Sequence, residues 1–184
     1  MKDAILTFSL LVAVFLALLI QEFIPALEFM HGARVNFVPV LFCYGALIVP
    51  FPLMLVLAGV TGFFLDLTYL AVLGGVVEIP LGWSILLYVA MGLICQGLRP
   101  LALRGHWELH ALMSAVTAVT YLALQFGMIS LRRFDDGGLM FNNVALWRIL
   151  GPGIIALLVS PPFYFLVEWV TRRFAPQRRM VRGF

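Results

Sequence analysis

Charge is scarce in this sequence. Asp, Glu, Lys and Arg make up 11% of its 184 residues, against about 25% in an ordinary soluble domain. With 63% hydrophobic residues and a mean hydropathy of +1.06, that deficit excludes a solvated globular domain and indicates an integral membrane protein. A spanning helix takes about 20 residues, so the chain holds at most about six or seven spans with short loops. Nothing is left for a soluble catalytic domain, and the whole of 1–184 reads as one transmembrane domain.

Cysteine is nearly absent too. Cys43 and Cys95 lie far apart in apolar segments, without the paired or Cys/His spacing of a zinc site, and read as buried small hydrophobes. Also missing are a phosphate-binding loop, a dinucleotide fingerprint, a nucleophile elbow and a Ser/His/Asp set. The sequence offers no residues for enzymatic catalysis and none that call for a cofactor or metal. Internal repeats, low-complexity tracts and long polar linkers are likewise missing.

What is present is a series of six apolar runs, which predict spans at 4–24, 35–49, 53–73, 80–98, 108–131 and 144–170, followed by a basic tail at 171–184. The first follows only Met1, Lys2 and Asp3 and has no small-residue cleavage site close behind it, so it reads as an uncleaved span. Pro50 and Pro52 in "VPFP" interrupt helix and predict a tight reversal between the second and third runs. Pro80 suits the first turn of the fourth. Gly151, Pro152, Pro161 and Pro162 predict kinks in the sixth. The stretch "LTYLAVLGGVVE" fits an extended third helix, an interfacial helix or a re-entrant segment equally well.

Six crossings put both termini on one side. Placing them inside gives that side Lys2, Arg99, Arg104, Arg172, Arg173, Arg178, Arg179 and Arg182, eight basic residues, against Arg34, Arg132, Arg133 and Arg148 outside. The excess predicts cytoplasmic termini. The net charge of +3 therefore reads as orientation rather than nucleic-acid binding. The five tail arginines, Arg172, Arg173, Arg178, Arg179 and Arg182, suit an anionic inner leaflet or a cytoplasmic partner.

Three charged groups invite a sharper reading. In "HWELH", His106 and His110 share a helical face, but Glu108 is not next to the first His as a zinc helix requires, and the segment reads as an interfacial anchor with Trp107. Asp135 and Asp136 are adjacent in a Gly-rich turn beside Arg132 and Arg133, which suits local ion pairing. Asp66 is different. It stands in "GVTGFFLDL", about 20 Å along the third span from Leu53 at roughly 1.5 Å per residue. An acidic group there costs several kcal/mol unless neutralised, paired or near an interface, and marks a functional or helix-pairing position. Its two readings are a proton-coupled transport site and a cap at the outer end of a short helix.

A Pro early in the second span, a Gly-rich third span ending in Gly-Phe-x-x-Asp-Leu, and Pro-Leu-Gly opening a fourth span with Tyr and Gly further in together form a pattern. Here it falls on Pro39, on Gly59, Gly62, Phe63, Asp66 and Leu67, on Pro80, Leu81 and Gly82, and on Tyr88 and Gly92. Over residues 35–95 the chain resembles the bacterial rod shape-determining MreD family; elsewhere it agrees in length, span number and basic C-terminus. The connection from Asp66 to Pro80 is longer and more apolar than the family pattern. The resemblance implies an all-α inner-membrane protein without enzymatic activity, a component of the cell-shape machinery that builds lateral peptidoglycan. Its implied partners are MreC and, through it, MreB, RodA and a penicillin-binding transpeptidase.

The competing class is the substrate-binding subunit of energy-coupling-factor vitamin transporters, similar in size and helix number. Ala13 and Ala17 match the spacing by which such subunits dock, and Gln21, Glu22, Asp66, Glu78 and Gln125 are its candidate polar groups.

Overall fold

The computed structural model describes residues 2–28, 32–69, 72–73, 76–77, 80–102, 106–132 and 143–174. They form six helices: α1 (Lys2–Phe23), α2 (Val38–Ile48), α3 (Phe51–Thr68), α4 (Trp83–Ala102), α5 (Trp107–Arg132) and α6 (Asn143–Phe174). Between α3 and α4, β1 (Val72–Leu73) and β2 (Val76–Val77) pair antiparallel, Val72 with Val77 and Leu73 with Val76. This short ladder replaces the extended-helix and interfacial-helix readings of that stretch.

Five of the helices, all but α2, are long and apolar enough to cross a membrane, which marks a multi-pass helical membrane protein. Their outward faces carry large apolar side chains, such as Phe8 and Phe23 of α1 and Leu158 and Leu166 of α6. In water such faces would be a liability; in lipid they are the solvated surface.

The second run, expected as a span over 35–49, holds a shorter helix. α2 has 11 residues, about 16 Å at 1.5 Å per residue, against a hydrocarbon layer of about 30 Å. The chain ahead of it, 33–37, is not helical. Pro39 stands in the first turn of α2, where its missing N–H costs nothing. Asn36 closes that end, its Oδ1 accepting from the Val38 N–H at 3.3 Å.

Contacts fix the helix directions. Asp66, late in α3, meets Gly82 and Ser84 at the start of α4, so α3 and α4 are antiparallel. Gln96, late in α4, meets Ala46 and Val49 at the end of α2, so those two run in parallel. Tyr44 faces His110 while Cys43 faces Thr117, and Trp107 packs on Phe165, making α5 antiparallel to both α2 and α6. Direction alternates through the six helices, and α1 starts where α6 ends.

α2 sits in the middle, touching each of the other five helices. Eight of its eleven residues are buried, and Phe42, Cys43, Leu47, Val14, Met54, Leu57, Tyr88 and Tyr121 belong to one core. The reversal after α2 follows the "VPFP" expectation: Val49 and Pro50 are both extended, the first closing α2 and the second capping α3. Because Pro50 and Pro52 have no N–H to offer, the terminal carbonyls of α2 need other donors. Gln96 Nε2 donates to Ala46 O and Val49 O, both at 2.8 Å, and Arg99 Nη2 to Ile48 O at 2.9 Å.

Other bounds differ from expectation in small ways. α3 ends at Thr68, capped at Tyr69, rather than continuing to 73. Pro80 and Gly82 precede α4 as a turn, and α4 continues through Pro100 to Ala102, because a proline in the last turn displaces few helical hydrogen bonds. His110 is not at an interface as the sequence reading had it. Only 2% exposed, it stacks on Phe163 and its Nε2 donates to Val40 O at 3.1 Å. His106 is exposed, and among the described residues no three His, Cys, Asp or Glu gather as a metal site.

Candidate functional site

Two features meet at the end of the molecule where α3 finishes and α4 begins. The first is the tie made by Asp66. Asp66 is 7% exposed; its Oδ2 accepts from the Gly82 N–H at 2.6 Å and Oδ1 from the Ser84 N–H at 3.2 Å. A helix start leaves its first N–H groups without partners, and an acidic side chain beside them also complements the helix dipole. Asp66 supplies both effects, but to α4 and not to its own helix. The cap expected at the end of α3 is thus a cap given across to the neighbouring helix.

The rest of the sequence pattern divides around this tie. Gly62 lies one turn before Asp66, and a Cβ there would overlap the backbone of Ser84 and Ile85. The first turn of α4 therefore rests directly on the α3 backbone, which is what carries it within reach of Asp66. Gly82 has φ +99, a left-handed conformation natural to glycine, and it turns its N–H onto the carboxylate. Deeper in, Gly92 faces Met54 and Phe42, and buried Tyr88 meets Phe42 edge-on at 4.8 Å.

Gly59 and Phe63 stand apart. Nothing lies within 4 Å of a Cβ built on Gly59, and Phe63 is an exposed side chain on the outward face of α3. Neither joins the α3–α4 contact, which corrects their assignment to helix packing. Pro80 is exposed.

The second feature is a cavity of about 520 Å³ at the same end, lined by Arg34, Asn36, Tyr69, Tyr121, Gln125 and Arg148 together with Ala26, Gly32, Val35, Leu122 and Pro152. Residues from four parts of the chain build it: Ala26 with 32–36, the end of α3, the second half of α5 and the first turns of α6. Gln125 Nε2 donates to Tyr121 Oη at 2.6 Å. Gln21, buried on α1, donates to Tyr69 Oη at 3.0 Å, and Glu22 lies 3.8 Å from Arg34. Polar groups distant in sequence thus converge on one opening, and their balance favours donors and positive charge.

Sequence reasoning found part of this. Of the candidate polar groups, Gln125 lines the opening, Gln21 and Glu22 touch its lining residues Tyr69 and Arg34 from behind, and Asp66 is engaged by α4 instead. Arg34 and Arg148 were counted only as orientation charges, and Asn36, Tyr69 and Tyr121 were missed. The available signal was that two of the four basic residues on the minority side each closely follow or begin a span. Of the remaining candidates, Glu78, Asp135, Asp136, Arg178, Arg179 and Arg182 lie outside the described residues. Arg172 and Arg173 fall in the last turn of α6, without described side chains.

Comparison of the chain with protein-family models, with curated proteins and with solved structures finds no match in any of the three.

Proposed function

We propose that this protein is a non-enzymatic component of the bacterial wall-elongation machinery, resident in the inner membrane with both termini cytoplasmic, and that it acts with MreC in maintaining cell shape. The observation that supports this reading is the junction of Gly62, Asp66 and Gly82. These are the residues that carry the resemblance to the MreD family, and they work as one unit: a close backbone approach, a carboxylate, and a turn that presents amides to it. Both oxygens of Asp66 are engaged by α4 backbone, so the charge serves helix assembly rather than proton transfer. In this reading the α3–α4 pair is a rigid face offered to MreC, through which MreB, RodA and a penicillin-binding transpeptidase are reached. The basic tail would lie on anionic lipid.

The test is affinity capture of the tagged protein from mildly solubilised native membranes, with mass spectrometry of what co-purifies. Recovery of MreC with the wall enzymes supports the scaffold reading. Recovery of a coupling subunit with ATPases overturns it in favour of a transport subunit, the reading that the polar cavity favours. Against transport stands the state of the first helix: Ala17 is buried in the core and Ala13 is half-buried, so the Ala13/Ala17 pair is partly used inside the molecule.

A further inference from the structure

The geometry points to the cavity at the Asp66 end as a binding site for a phosphate group, held by Arg34, Arg148 and the Asn36 amide. This inference is independent of the scaffold reading, since it concerns a site that the α3–α4 junction does not use.

Asn36 carries the argument furthest. It is 8% exposed and its orientation is fixed, because Oδ1 accepts from the Val38 N–H and the amide nitrogen must therefore be the other atom. That Nδ2 group has no hydrogen-bond partner among the described residues, yet the side chain lines the cavity. The donor is therefore open to the cavity rather than sealed in protein, free to meet whatever occupies the space in front of it. A water could stand there, but the neighbouring groups select for negative charge. Arg148 forms no ion pair among the described residues, and its guanidinium borders the cavity beside Gly32. Arg34 is opposed only by the half-exposed Glu22 at 3.8 Å, a pair weak enough for a stronger anion to displace. The N-terminus of α2, just beyond Asn36, adds its positive dipole end to the same place.

The three donors arrive from two separate segments, 32–36 and the first turns of α6, with the N-terminus of α2 beside them. A carboxylate has two oxygens in one plane, whereas a phosphate has oxygens in several directions to meet such a set, and guanidinium forks suit it. The cavity also opens at one end of the long apolar helices and carries an apolar share from Val35, Leu122 and Pro152. Two sources present the same chemistry there, a phospholipid headgroup and a free phosphate.

The experiment uses the full chain with Arg178, Arg179 and Arg182 replaced by Gln, so that the tail does not contribute to lipid binding. One arm places it in phosphatidylcholine nanodiscs with a minor fraction of phosphatidic acid and reads retained lipid by native mass spectrometry. The other measures equilibrium binding of radiolabelled inorganic phosphate in neutral detergent. Preferential retention of phosphatidic acid is expected, weakened about tenfold or more by Arg148→Gln and abolished by Asn36→Asp, which keeps the acceptor for Val38 and replaces the free donor with a negative charge. Saturable binding of inorganic phosphate with the same variant sensitivity supports the site and assigns it to a soluble ligand. Lipid retention indifferent to both variants with no phosphate binding, or binding of acetate in preference to phosphate, overturns it. Capture of MreC is unaffected by either result, so the two proposals fail separately.

Discussion

Gly62 and Ile85 meet with no side chain between them: a Cβ on Gly62 would overlap the Cα and N of Ile85. Four residues further along α3 the same contact ends in the Asp66 carboxylate, so distance and charge are set together by one helical turn.

Gly62→Ala should therefore push α4 away from α3. Overpacking of this kind costs about 1–3 kcal/mol, and here the opposing atoms are backbone and have little room to yield. A marked loss of thermal stability in detergent is expected. Gly59→Ala, three residues earlier in open space, should be neutral or raise stability by about 0.5–1 kcal/mol through helix propensity.

At Asp66 the two oxygens make the prediction graded. Asp66→Asn keeps one carbonyl oxygen for Gly82 or Ser84 and should lose part of the stability, while Asp66→Leu leaves two buried N–H groups without partners, each worth about 1–3 kcal/mol. Hydrogen exchange at the start of α4 reads this directly: fast exchange at Gly82 and Ser84 in the Leu variant, intermediate in Asn. Cell shape should follow the same order, near normal for Asn and lost for Leu. Capture of MreC at wild-type levels by Asp66→Leu would refute the assembly role.

Gly82→Ala tests the turn itself. At φ +99 an alanine is strained by about 1–3 kcal/mol, although nothing crowds its Cβ. Destabilisation without any steric neighbour is the expected result, measured by thermal unfolding alongside Gly62→Ala.

Gln96→Leu should damage the opposite end. It removes the donor to Ala46 O and Val49 O, and no proline N–H can replace it. A loss of about 1–3 kcal/mol for each carbonyl left bare in an apolar setting is expected, read as lower thermal stability and as protease access at the 49–52 reversal.

The sequence made the long helices legible because lipid demands about 20 apolar residues per crossing, and it marked Asp66 because charge was so rare around it. It did not show where Asp66 would bind, since its partners are backbone amides and leave no trace in side-chain pattern. The run 35–49 is equally apolar whether helical or extended, so hydropathy could not separate the 33–37 segment from α2. His110 was misplaced for a related reason. Beside Trp107 and Glu108 it reads as an interfacial residue, and only the arrival of the Val40 carbonyl makes the interior a place where an imidazole is satisfied. The cavity escaped because Arg34, Asn36, Tyr121 and Arg148 are brought together by packing, at sequence separations that no local motif records.

The brevity of α2 has a further consequence for how the protein is made. Eleven apolar residues are too few to be accepted by themselves as a crossing segment, and the side chains that answer the polar backbone at the ends of α2, among the described residues, are Asn36, Gln96 and Arg99. Two of those three lie on α4, synthesised after it. The second segment can be seated only once the fourth has arrived, so membrane insertion of this chain is not strictly sequential, and a truncation ending before residue 96 should leave α2 on the membrane surface.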